Sequence, residues 1–397
     1  MGLSVEAVVI GAGIAGTATA LALRQAGMAV ALLDTHYVGW GASGRNPGFL
    51  WLQTKAKGTA MDFSLACRHF AGELAESLPD FGFRACGGLI LYRDLAYEPV
   101  ARAFVADRNA AGLPVALLDR PALLELCPDI GPEVSGAVWN PLDAHQDTRR
   151  LVALLARQFE EAGGLIMAPC RAQSIEASAS AIKGVLLADG TRIACRFVVI
   201  AAGPWTNGLL DPLGLRLPLT SIRFEAAETG PAPFRLGPVA AGQALFRFFT
   251  PPGVDLASLP REPTEMLCPD LGFTEQIASL PDGSLQFGCA YAIGNDSDAP
   301  TVAGQAMAYA IHSKNFPAVA RLPVVRNWAG LVAQTPDGLP VIDAGAGPEG
   351  LVINAGHFFG NLAGAFSGRL VAQTLTGQTP SYAINAFNAG RFGLVDG

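Results

Sequence analysis

The chain has 397 residues, half of them apolar and 15% charged, with a net charge of −7. That length allows two domains, each with its own core, and the composition excludes disorder. The acidic balance argues against nucleic acid as a partner, because phosphates need a basic surface. No run of about 18 apolar residues is present to span a membrane.

The apolar start from Val5 to Ile10 lacks a basic flank and runs straight into a glycine turn, so it reads as a first strand and not as a signal peptide. Ile14–Gln25 follows as an Ala/Leu-rich helix, with Gly27 just beyond its end, and Met28–Leu33 is the second strand. Residues 58–78 have the apolar spacing of an amphipathic helix. From about 81 the pattern turns irregular and strand-rich, with Gly88–Tyr92 as one strand. A helix is expected from Asp147–Thr148 to just before Gly163, then a hairpin at Asp189-Gly190 and a buried strand Phe197–Ala201. Residues 212–325 are again irregular and strand-rich, with a hairpin at Asp282-Gly283. A strand Gly350–Asn354 and a helix Asn361–Leu375 close the chain.

This order predicts an α/β fold: a doubly wound, Rossmann-type domain from 1–80, 143–211 and 326–397, with a mostly antiparallel β-sheet substrate domain inserted as 81–142 and 212–325. The seven cysteines (67, 86, 127, 170, 195, 268 and 289) contain no C-x-x-C pair. They read as small buried thiols in a reduced, cytoplasmic setting, and with few histidines no metal site is expected.

Gly11-Ala12-Gly13-Ile14-Ala15-Gly16 lies between the first strand and the first helix. Gly11 permits the turn, Gly13 the approach of a pyrophosphate, and Gly16 the close packing of helix on strand. The helix N-terminus offers free N–H groups to phosphates, and Asp34, followed by Thr35, stands where a carboxylate takes ribose hydroxyls. The motif alone does not separate FAD from NAD.

Four further segments do. They are Gly41-Ala42-Ser43-Gly44-Arg45-Asn46-Pro47-Gly48, the strand and turn through Ala202-Gly203-Pro204-Trp205, Asn327-Trp328-Ala329-Gly330 with Thr335–Ile342, and Asn354-Ala355-Gly356-His357 leading into the last helix. Together with the N-terminal unit they resemble the D-amino-acid oxidase superfamily of flavoproteins: glycine oxidases, sarcosine oxidases and their beta subunits, and amino-acid dehydrogenase subunits. The resemblance implies FAD. It lays Ala42, Ser43, Arg45, Asn46 and Gly48 along the ribityl chain and flavin edge, and Ala202, Gly203 and Trp205 over the cofactor. Gly330, His357, Phe358, Phe359, Gly360, Asn361 and Leu362 fall beside the flavin, where the last helix aims N–H groups at the pyrimidine. It also implies oxidation of a C–N bond in a small amine or amino acid (an N-alkyl amino acid, imino acid, opine or D-amino acid) by hydride transfer.

The chain departs from those relatives at the substrate. The arginine that glycine oxidases place after Trp-Ala-Gly-Leu is Val332 here, and their second arginine falls near Phe359. The lysine of monomeric sarcosine oxidases becomes Gln286. Their covalent flavin cysteine corresponds to Gly330, which implies noncovalent FAD. Arg45, Arg223 and Arg247 are candidate substitutes for the missing clamp, against a plain reading as solvated surface cations. His357 is a candidate acid–base group, against a packing role beside the flavin. Two alternatives stay open: the FAD-carrying subunit of a hetero-oligomeric dehydrogenase with a protein electron acceptor, or a flavin-binding assembly subunit without turnover.

Overall fold

The strand Ala7–Ile10 carries no polar side chain and is buried at all four positions, as a strand covered on both faces must be. It is central in a six-stranded sheet of the computed structural model, which describes residues 3–178, 180–249, 254–257, 259–261, 266 and 268–393; the Cys289 thiol also lies outside the described set. Ala7–Ile10 pairs in parallel with Val30–Leu33 on one side and Phe197–Ile200 on the other. Leu165–Met167 and Leu351–Ala355 extend the sheet in parallel, and Val341–Asp343 closes one edge antiparallel.

One face of this sheet is covered by helices and the other by a four-stranded sheet that includes Ala172–Ala177 and Ile182–Leu187. The helix Ile14–Gln25 and the last helix, Gly360–Leu375, approach closely because the latter presents glycines. A Cβ at Gly364 would lie 2.6 Å from Ile14 Cγ2, and one at Gly368 would lie 2.6 Å from the Thr19 nitrogen. The glycine stripe of the last helix therefore serves helix–helix contact.

The second sheet has eight strands. Val324–Gln334, Thr220–Pro231, Ser284–Ile293 and Gly272–Ser279 are antiparallel neighbours, followed by Val239–Ala241, Gly88–Tyr92, Gly136–Asn140 and Ala116–Asp119. Only the pairing of Val239–Ala241 with Gly88–Tyr92 is parallel. The expected helix after Asp147 is Thr148–Glu161, with the Asp147 side chain accepting from the Arg150 N–H as its cap. Among the described residues, the strand-rich reading of the insertions missed four helices: the long Glu98–Ala110 and Val302–Asn315 and the short Arg120–Leu126 and Ala244–Phe249. Among the described residues no helix is long and apolar enough to cross a membrane, and the six described cysteines are free thiols.

Three histidines are held neutral by burial. Loss of hydration pushes His145 and His312 down to about 3, helped by the positive charges of Arg84 and Arg93 respectively, and pushes His357 down to about 4. In the unfolded chain each returns to about 6.5, so the stability they contribute is complete above that pH and is lost as pH falls toward the folded values. Each contributes roughly 1 kcal/mol per pH unit in that window. Asp143, raised to about 6 by burial, works in the opposite sense below pH 6. With three groups against one, the melting temperature is expected to fall between pH 6.5 and 5. Neither ring nitrogen of His312 has a hydrogen-bond partner, so His312→Leu should flatten that decline. An equally steep decline in the variant would contradict this origin.

Candidate active site

Gly11 has a φ of +106°, and a Cβ there would sit 2.3 Å from the Ala201 carbonyl oxygen. A Cβ at Gly16 would sit 1.8 Å from the Gly11 oxygen. Both glycines are required by the turn itself. Gly13 differs. Its φ of −76° suits any residue, and the nearest atom to an added Cβ is the rotatable Ser43 hydroxyl at 3.1 Å. Protein packing gives no reason for a glycine here, but Gly13 lines a cavity of about 590 Å³, within the usual range for cofactor sites. The space beside it is kept for a ligand.

That cavity collects most of the expected dinucleotide residues. Gly11, Gly13, Ile14 and Ala15 line it from the first turn and helix, and Asp34 and Thr35 from the end of the second strand. Ala12 and Gly16 do not line it. The Ala12 N–H instead donates to Asp34 Oδ2 at 2.8 Å, and Asp34 Oδ1 accepts from the His36 N–H at 2.9 Å. These bonds fix the carboxylate and leave lone pairs for hydroxyls of a ribose. Ser43 Oγ accepts from the Ile14 N–H at 3.0 Å, and Ala42, Ser43, Ala202, Gly203, His357 and Gly360 complete much of the wall. Trp205 is 48% exposed at the cavity wall, which rules out a core role. Its ring centroid is 5.7 Å from that of Trp40, which stacks on His36 at 3.8 Å. The stretch Cys170–Gln173 also lines the cavity. It follows a parallel strand at its carboxyl end, where ligands of such sheets bind, and that position was its only signal in the sequence.

A second cavity of about 90 Å³ shares Ala42 and Val332 with the first. Arg45, Asn46, Gly330, Phe358, Phe359 and Asn361 line this one and not the large cavity. Its walls are mainly aromatic, adding Phe49, Trp51, Phe224, Phe248 and Phe249, with Thr274, Gln276 and Gly288 from the large sheet. Trp51 Nε1 donates to Gln276 Oε1 at 2.8 Å. Behind Phe359, the buried Lys55 ammonium sits 2.8 Å from the ring centroid, and burial holds its pKa well below the ordinary lysine value.

The family model for FAD dependent oxidoreductases matches residues 6–374. The chain belongs to that family. Glycine oxidase from Pseudomonas putida is 27% identical to it over 95% of this chain and 96% of its own length. The B subunit of opine oxidase from Rhizobium meliloti is 24% identical over 98% of each chain. The crystal structure of glycine oxidase from Geobacillus kaustophilus superposes with a TM-score of 0.85 at 22% identity, covering 98% of this chain and 99% of that one. This likeness shows the same fold. The protein is thus an FAD-dependent oxidoreductase, and the glycine cradle at Gly13 with the fixed Asp34 carboxylate fits that cofactor.

The catalytic candidates need correction. In the flavoprotein, Thr220–Pro231 is a strand whose alternation turns Arg223 away from Phe224 and Ala226 and to the side of Glu225, and Arg223 lines neither cavity. Arg223 is buried and lies 3.1 Å from the Glu225 carboxylate in an ion pair, so it is neither a clamp nor a surface cation. Gln286 is buried in the strand Ser284–Ile293 opposite Glu228 and lines neither cavity. Arg45 lines the small cavity, but its NH1 donates to Asp298 at 2.8 Å and to the Ala329 carbonyl at 3.0 Å. Arg247 donates to Tyr97 and to the Leu256, Leu259 and Pro260 carbonyls. His357 Nε2 donates to Asn354 Oδ1 at 2.8 Å, which leaves Nδ1 as a buried acceptor without a partner. That sealed nitrogen favours packing over proton transfer. Gly48 and Leu362 also lie outside both cavities. A Cβ at Gly48 would lie 1.9 Å from the Gln146 oxygen, and Leu362 is core.

Proposed function

We propose that the protein oxidises the C–N bond of a small amine or amino acid, such as an N-alkyl amino acid, imino acid, opine or D-amino acid, to an imine that water hydrolyses. The observation that carries this reading is the small aromatic cavity adjoining the cofactor cavity. Relatives named as glycine oxidase, as a component of opine oxidase and as D-amino acid dehydrogenase support it. FAD, when bound, supplies a hydride acceptor. Gly13, Asp34 and Ser43 would hold the dinucleotide. The aromatic walls strip water from the donor, and the loss of hydration favours the neutral amine, the form that can give up a hydride. The division of the chain into a cofactor part (1–80, 143–211 and 326–397) and a substrate part (81–142 and 212–325) belongs to the same proposal.

The cofactor is held noncovalently. Gly330, beside Arg45, offers no nucleophile, and a side chain there would press on Arg45 Cβ at 3.1 Å. Acid precipitation is expected to release all the FAD into the supernatant, and colour retained in the pellet would contradict this.

Steady-state turnover tests the function: amine-dependent reduction of an artificial dye, with a carbonyl product in equal amount. A second reading, the FAD-carrying subunit of a hetero-oligomeric dehydrogenase, is favoured by the opine oxidase relatives, which are themselves named as single subunits and match over 98% of both chains. On that reading the isolated chain reduces dye and consumes little oxygen. A chain that binds FAD but turns over no amine with either acceptor fits the assembly-subunit alternative.

A further inference from the structure

Among the described residues, the wall of the small cavity has neither an unpaired cation nor an unpaired anion. The residues outside the described set include no lysine or arginine, so all 27 such side chains are accounted for. Arg45 is the only one of them in the wall of the small cavity, and its guanidinium is bonded to Asp298 and Ala329, 4.7 Å from the Trp40 ring centroid. Arg171 lines the large cavity alone. Lys55 lies behind Phe359 and lines neither. Glu225, the one acid among the described residues of the wall, is committed elsewhere. It accepts from the Thr301 N–H at 3.0 Å, from the Thr301 hydroxyl at 2.8 Å and from Gln305 Nε2 at 3.2 Å, and it pairs with Arg223.

What the wall offers instead is aromatic surface: Phe224, Phe248 and Phe358 line it and close a ring of contacts with Tyr291, which does not itself line the cavity. Phe224 and Tyr291 have centroids 5.6 Å apart, Tyr291 and Phe248 5.3 Å, Phe248 and Phe358 6.0 Å, and Phe358 and Phe224 5.8 Å. Into this setting the described residues of the wall bring one fully buried polar atom without a partner. Thr274 is buried, and its hydroxyl has no hydrogen-bond partner. An unpaired hydroxyl among aromatic rings is costly unless a ligand completes it.

We propose that this cavity recognises the apolar substituents of a small secondary amine, with the Thr274 hydroxyl as hydrogen-bond partner of the amine nitrogen, and that it grips no carboxylate. The substrate class is then small N-alkyl amines, with esters and amides of N-alkyl amino acids accepted at least as well as the free acids. This rests on the C–N oxidation proposed above. The reaction balances as a two-electron oxidation. The C–H bond beside nitrogen breaks, and its electron pair passes with the hydrogen to FAD. The C=N bond forms, and the N–H proton leaves to solvent. Water then splits the imine into a carbonyl compound and a primary amine. A carboxylate brought into this cavity would lose its hydration with no uncommitted cation among the described residues to offset its charge, whereas an ester or amide carries no such charge.

The test is anaerobic reduction of the FAD-loaded protein by sarcosine, sarcosine methyl ester, sarcosine amide and N-methylpropylamine. The compounds without a carboxylate are expected to reduce the flavin at half-saturating concentrations no higher than that of sarcosine, and about tenfold lower if desolvating the carboxylate costs as little as 1.4 kcal/mol. Reduction by sarcosine with the ester, amide and alkylamine more than tenfold weaker overturns the inference and leaves C–N oxidation standing. No reduction by any amine, in a protein that dithionite does reduce, overturns both. Thr274→Val should raise the half-saturating amine concentration roughly three- to tenfold, and Thr274→Ser should restore it. An unchanged value in Thr274→Val removes Thr274 from the proposal.

Discussion

Gly13→Val is expected to give a folded protein that contains no FAD. The φ of −76° at this position is open to valine, and an added Cβ meets only the Ser43 hydroxyl, at 3.1 Å. The cost to the fold is the poorer helix cap that valine makes, about 1 kcal/mol. The branched side chain would instead stand in the large cavity, in the space that the turn leaves for a pyrophosphate. A loss of at least about a thousandfold in FAD affinity follows, equivalent to roughly 4 kcal/mol. The check is the ratio of flavin to protein absorbance in a variant whose circular dichroism and melting curve match those of the wild-type apoprotein. A folded variant with a full complement of FAD would show that the phosphates lie elsewhere. Gly16→Val is the contrasting control. Its Cβ would lie 1.8 Å from the Gly11 carbonyl oxygen, so it should fail at folding.

Asp143→Ala is expected to cost about 3–5 kcal/mol of stability. The carboxylate is completely buried and accepts from the Leu52 N–H at 2.6 Å, from Gln53 Nε2 at 2.6 Å, from Asn140 Nδ2 at 2.8 Å and from the Gln53 N–H at 3.3 Å. Alanine would leave those donors buried and unpaired. The same bonds hold Leu52 and Gln53 next to Trp51, whose indole reaches Gln276 across the small cavity, so activity should fall with stability. Asp143→Asn keeps one acceptor oxygen but turns a donor toward the Gln53 amide, and about 1–3 kcal/mol is expected there. Urea unfolding at pH 7 measures both. An alanine variant within 1 kcal/mol of wild type would mean that the network holds nothing in place.

The cofactor half of the molecule was legible in the sequence because its signals are local. The run Ala7–Ile10, the glycine turn and Asp34 lie within one βαβ unit, and the structure closes them around one cavity. Asp147 was readable as a cap for the same reason. The two longer missed helices lack a clear pattern. Glu98–Ala110 begins with Glu-Pro and is polar over much of its surface. Val302–Asn315 buries Gly304, Gln305, His312 and Asn315 along with its apolar residues, so periodicity fails. The small cavity was legible only on its cofactor side, through Arg45, Asn46, Gly330, Phe358, Phe359 and Asn361. Its walls come from segments as distant as Phe49, Phe224, Phe248, Thr274 and Phe358, and no spacing along the chain foretells their meeting. Arg223 is an intermediate case. Once 220–231 is a strand, alternation alone turns it away from Phe224, but its charge suggests a substrate clamp only as long as strand face is ignored.

The most direct test of the account is anaerobic titration of the FAD-loaded protein with a panel of secondary amines, amino acids and hydroxy acids, followed by the visible flavin absorbance. Amines are expected to bleach the flavin fully, with one carbonyl product per flavin and no effect from hydroxy acids. Bleaching by hydroxy acids alone would contradict C–N oxidation as the function of this site.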